Sequence, residues 1–128
     1  MKFEHAAFQV DDPAAVAVWY VAHLGFVIKR QMQEPPYMTF LADSAGNVMI
    51  ELYNNPEIPV PDYTAMSPVA LHLAFLVDDT ASEKQRLLDA GATIAVETTT
   101  TAAGDELTML RDPWGFPIQL VKRHQPML

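Results

Sequence analysis

The chain has 128 residues, half of them apolar, which is one domain's worth of core. Its 16 acidic and 8 basic residues leave a formal charge of -8, which argues against a non-specific nucleic-acid binder. It has no cysteine, so disulfides and thiolate metal sites are excluded, and no apolar run reaches the roughly 18 residues a membrane span needs.

Read from the N-terminus, Glu4 and His5 break the only stretch that could form a signal-peptide core, so a cytoplasmic protein is expected. A strand is predicted over about residues 3 to 10. Asp12 is a helix N-cap and Pro13 suits the first turn, so a helix follows over about 13 to 23, with Gly25 just past its end. Three strands come next, at about 26 to 33, 37 to 42 and 47 to 53. The segment from Asn54 to Pro68 holds prolines 56, 59, 61 and 68 and reads as a linker. The order then repeats: a strand at about 70 to 77, the N-cap Asp79, a helix at about 80 to 90, Gly91, and strands at about 92 to 99, 106 to 111 and 116 to 122.

That repetition is visible in the residues themselves. His5 to Asp12 reads HAAFQVDD and His72 to Asp79 reads HLAFLVDD, with six of eight positions identical. Each copy closes on an Asp-containing turn and an apolar strand: Asp43 to Leu52 in the first, Asp112 to Val121 in the second. The chain is therefore two tandem βαβββ modules, one at about 1 to 54 and one at about 69 to 128, joined by a linker at about 55 to 68. The fold class is α+β. One module has one helix for four strands and leaves a sheet face uncovered; two can pair into a curved sheet with helices outside.

Side chains alternate across a strand, so each strand has two faces. In the first strand His5, Ala7 and Gln9 share a face, opposite Glu4, Ala6, Phe8 and Val10. In its repeat, Leu71, Leu73, Phe75 and Val77 form the apolar face and His72 points the other way. Glu51 opposes Ile50 and Leu52, and Gln119 opposes Ile118 and Leu120. His5, Glu51, His72 and Gln119 thus all project from the faces away from the helices. A pseudo-twofold relation makes His5 equivalent to His72 and Glu51 equivalent to Gln119. Two imidazoles, a carboxylate and an amide oxygen suit one divalent metal ion such as Zn, Ni, Co, Mn or Fe. A lone strand His is usually an ordinary hydrogen-bonded residue; the matched positions in both modules are what favour ligation. His23 and His124 are read as structural or surface residues.

At these residues the chain resembles the vicinal oxygen chelate superfamily, which includes glyoxalase I, extradiol dioxygenases and bleomycin-binding proteins. The resemblance rests on His5, on Trp19-Tyr20 to Leu24-Gly25-Phe26, on His72 with Val77-Asp78-Asp79, and on Arg111 to Leu120. It implies a single domain over 1 to 128, an eight-stranded U-shaped cup and a homodimer. The order His, Glu, His and a fourth oxygen ligand is most similar to glyoxalase I. The implied activity is a metal-dependent lyase or isomerase moving a proton on a small vicinal-oxygen substrate, such as a glutathione or other thiol adduct, through an enediolate. Glu51 would be the catalytic base as well as a ligand. Asn55 resembles the glyoxalase Asn that helps hold glutathione, and Gln9, Tyr53 and Trp114 are candidate substrate contacts.

Two positions depart from the glyoxalase pattern. Gln119 stands where a Glu usually serves as base, and an amide takes no proton at neutral pH. Gln9 stands where an Arg usually meets the glutathione carboxylate. The alternatives on the same scaffold are a metal-free bleomycin-resistance-type binding protein and a dioxygenase. No nucleic-acid or membrane partner is expected.

Overall fold

The computed structural model describes residues 1 to 127. They form the elements β1 (His5–Gln9), α1 (Pro13–Leu24), β2 (Val27–Gln31), β3 (Thr39–Ala42), β4 (Met49–Tyr53), β5 (Leu73–Leu76), α2 (Thr80–Asp89), β6 (Thr93–Thr100), β7 (Glu106–Arg111) and β8 (Pro117–Lys122). The chain divides into two compact units, Met1–Pro61 and Asp62–Leu128. Each is a βαβββ module with one four-stranded mixed sheet. The strand orders are β1-β4-β3-β2 and β5-β8-β7-β6.

In the first unit the Asp12 side chain accepts a hydrogen bond from Ala15 N–H, and Pro13 occupies the first turn of α1. Gly25 closes the helix at φ 74°, a left-handed conformation that a residue with a Cβ adopts poorly. The helix buries Val16, Ala17 and Tyr20, while the sheet buries Leu41, Ile50 and Leu52. Tyr20 also stacks on Phe26 with ring centroids 5.8 Å apart. β1 runs parallel to β4, with Ala7 across from Glu51, and β3 runs antiparallel to β4, with Phe40 across from Glu51.

The second unit repeats this plan. Asp79 caps α2 through Ala81 and Ser82 N–H. Leu87 packs with Leu110, Ile118 and Leu120, all at most 2 % exposed. Ala74 lies across from Gln119 on β8, and Met109 on β7 lies across from the same Gln119.

The stretch read as a linker belongs to the two units by halves. Gln9 holds residues 55 to 58 to the first unit by binding the backbone of Asn55 and Ile58. Arg111 holds residues 63 to 66 to the second, donating to the carbonyls of Tyr63 and Met66 at 2.7 and 2.8 Å. Tyr63 packs on Phe116 with ring centroids 4.8 Å apart. No described helix is long and apolar enough to cross a membrane.

Candidate metal centre

The uncovered face of the first unit's sheet carries His5 and Glu51. They sit on neighbouring strands, two register positions apart, and His5 Nε2 lies 3.4 Å from Glu51 Oε2. The Phe40 ring meets the His5 ring edge-on at 5.6 Å, on the same face. The other ring nitrogen is engaged elsewhere: His5 Nδ1–H donates to Glu4 Oε2 at 2.6 Å. Glu4 precedes β1, so its side chain is free of the pleat and can fold over the ring. With Nδ1 engaged by Glu4, Nε2 is the ring nitrogen that faces Glu51.

The second unit prepares His72 in the same way. Its Nδ1–H donates to the carbonyl of Pro68 at 2.9 Å, which again leaves Nε2 as the basic nitrogen. Gln119 donates from Nε2 to Met109 Sδ at 3.2 Å. Its amide nitrogen is thereby tied to β7, and Oε1 is the atom left to coordinate. Within the first unit an imidazole and a carboxylate stand together, two donor types that suit a borderline divalent cation, whereas His72 lies one residue before β5 begins at Leu73 and Gln119 lies on β8 of the second unit. Among the described residues, no three His, Cys, Asp or Glu side chains lie together as a group able to hold a metal.

The remaining sequence candidates lie in varied surroundings. Tyr53 is half-buried on β4, on the Glu51 face, and sits across from Gln9. Gln9 is buried, with its amide oxygen and nitrogen committed to the 55 to 58 loop. Asn55 turns its Oδ1 back onto Glu57 N–H at 3.0 Å. Trp114 is 39% exposed in the turn between β7 and β8, with its backbone N–H on Asp112 Oδ1. His23 packs on Trp19 at the end of α1, and the His124 backbone N–H binds Asp105. Sequence alone did not reveal Glu4 and the Pro68 carbonyl. Glu4 stood next to His5, but period-two alternation assigned it to the opposite face; a backbone carbonyl leaves no mark in a sequence.

The sequence model of the Glyoxalase/Bleomycin resistance protein/Dioxygenase superfamily matches residues 2–120. The chain belongs to this superfamily. Solved structures agree on the superfamily fold. A glyoxalase family protein from Bacillus cereus superposes with a TM-score of 0.79 at 18% identity, covering 95% of this chain and 93% of that one. A superfamily member from Sphaerobacter thermophilus gives 0.72 at 17%, covering 96% and 98%. TnmS3, an antibiotic binding protein from Streptomyces sp. CB03234, gives 0.70 at 19%, covering 96% of both chains. No curated protein matches the chain in sequence.

Proposed function

We propose that this superfamily member is a metal-dependent, glyoxalase-like lyase or isomerase acting on a small substrate with two adjacent oxygens. In this reading His5, Glu51, His72 and Gln119 would together hold one divalent cation. The observation that carries this reading is the matched preparation of the two imidazoles, His5 by Glu4 and His72 by Pro68.

A divalent cation bound there supplies a Lewis acid for the substrate's oxygens. Glu51 moves the proton: its carboxylate takes it from the carbon beside the carbonyl and returns it to the neighbouring carbon, so substrate and product are isomers. Glu51 is well placed for this because its side chain is only 14% exposed and lies between Phe40 and Ala7 on the open face. Gln119 holds without exchanging protons, because an amide is neutral throughout the working range. Glu4 and the Pro68 carbonyl keep the imidazoles oriented.

The test is proton exchange. Protein loaded with Zn, Ni, Co, Mn or Fe(II) is mixed in deuterated water with the hemithioacetals of methylglyoxal, made with glutathione and with simpler thiols. The isomerised thioester should form, with deuterium in its new C–H bond to the extent that the Glu51 carboxyl exchanges with solvent, and Glu51→Gln should abolish both product and incorporation. Equal incorporation by wild type and Glu51→Gln would remove Glu51 from the chemistry.

A second reading, sequestration of a small molecule without turnover, is favoured by a groove of about 650 Å³ in the second unit. Ala74, Leu76, Val121, Pro126 and Met127 line it, and it is the size of a drug-sized ligand site. The likeness to an antibiotic binding protein from Streptomyces points the same way. Tight binding of a bleomycin-type compound by metal-free protein would establish it over the first.

A further inference from the structure

The two open sheet faces can be compared residue by residue. In the first unit, register aligns Ala7, Glu51, Phe40 and Arg30 in one row across β1, β4, β3 and β2. In the second, the matching row is Ala74, Gln119, Met109 and Val96 across β5, β8, β7 and β6. Both outer strands carry a register shift just before the last residue of the row, between Ile28 and Arg30 and between Ile94 and Val96. A bulge of this kind inserts one residue and re-aims the next. In the first unit the shift makes Arg30, not Lys29, the residue across from Phe40. The second unit makes the same bulge with Val96, so the fold does not require a cation at this place.

Arg30 is also uncommitted. Arg86 pairs with Glu83, Arg123 pairs with Asp105, and Arg111 is spent on backbone carbonyls. Among the described residues Arg30 has no ion pair or side-chain hydrogen bond, although the chain carries 16 acidic side chains. It stands two strands from Glu51, roughly 10 Å between backbones at the usual strand spacing. Its side chain is long enough to close most of that span over Phe40.

We propose that Arg30 is the anion anchor of the metal site, and that the substrate carries a carboxylate a few bonds away from its pair of adjacent oxygens. This rests on the metal-site reading given above. A guanidinium fork matches a carboxylate bidentately, which a lysine does not. A single cation balances a monoanion, whereas a phosphoryl dianion would call for a second cation, and Arg30 is the one cation in its row of Ala7, Glu51, Phe40 and Arg30. Arg30 thus provides on β2 the charge that Gln9 does not provide on β1.

Hydroxamates test this, because they chelate a metal through two adjacent oxygens and can be bought or made with and without a carboxylate. Co(II)-loaded protein is titrated calorimetrically with acetohydroxamate, with the monohydroxamates of succinic and glutaric acid, and with phosphonoacetohydroxamate. One of the carboxylated chelators should bind about ten- to a hundredfold more tightly than acetohydroxamate, as expected for a charge-assisted hydrogen bond. Arg30→Gln should erase that gain while leaving acetohydroxamate affinity where it was, and Arg30→Lys should keep only part of it. Acetohydroxamate binding with no gain from the carboxylate overturns the role of Arg30 alone. Tightest binding by the phosphonate overturns the carboxylate assignment. Failure of the Co(II)-treated wild type to bind any hydroxamate overturns both this proposal and the metal site beneath it. Arg30 is exposed on an edge strand, so the variants should fold, and thermal melts confirm it.

Discussion

The Nδ1 of His5 lies 2.6 Å from Oε2 of Glu4. That bond leaves Nε2 directed at Glu51, 3.4 Å away. If Glu4 orients a metal ligand, Glu4→Gln should weaken metal affinity about ten- to a hundredfold. The fold should be untouched, because the Glu4 side chain is 69% exposed. Competition against a chelating dye measures the affinity; an unchanged value would reduce Glu4 to a surface residue.

His72→Ala removes a prepared imidazole and should abolish stoichiometric metal retention, while Glu51→Gln should keep a weakly bound ion and lose proton transfer. Metal content and deuterium incorporation, measured on the same samples, separate the two effects.

Gly115 should tolerate no side chain. It sits at φ 89°, and a Cβ there would clash with Thr64 Oγ1. Gly115→Ala is expected to destabilise the protein by about 2–4 kcal/mol, from backbone strain together with overpacking. Adding Thr64→Ala should recover part of the loss by removing the hydroxyl. Denaturant melts of the single and double variants provide the check.

Asp105 links the β6–β7 turn to the end of β8. The His124 backbone N–H and the Arg123 guanidinium hold its carboxyl below the usual carboxylate value. A carboxyl with a depressed folded pKa stabilises the fold above its unfolded pKa of roughly 4, and the stabilisation fades as pH falls through the folded value. Asp105→Asn should therefore lower the melting temperature at neutral pH and bring it closer to that of wild type as the solution is acidified. A constant gap across the acid range would mean that the charge is not involved.

Much of this was legible in the residues because two periodic signals coincide. The repeat paired His72 with His5, although β5 begins only at Leu73 and leaves His72 just outside the strand, and strand alternation put Glu51 and Gln119 on the faces opposite Ile50 and Ile118, as the structure has them. Element boundaries fell within a few residues of those observed, since Asp12, Pro13, Gly25 and Asp79 mark them by local chemistry. What escaped was non-local or carried by backbone. Gln9 looked like a substrate contact because its partners lie 46 and 49 residues away in a loop without pattern. The prolines of the 54 to 68 stretch suggested a linker because Arg111 grips its carbonyls, not its side chains. The bulge before Arg30 exists only in strand register, so alternation alone could not place that residue.

The measurement closest to the central claim is metal content after equilibrium dialysis against micromolar Mn, Co, Ni or Zn, with His72→Ala dialysed alongside. Wild type should retain about one ion per chain of at least one of these metals, as a closed four-donor set would, and the variant should retain almost none. Wild type emerging with no ion, or with the same content as His72→Ala, would contradict the proposed metal centre.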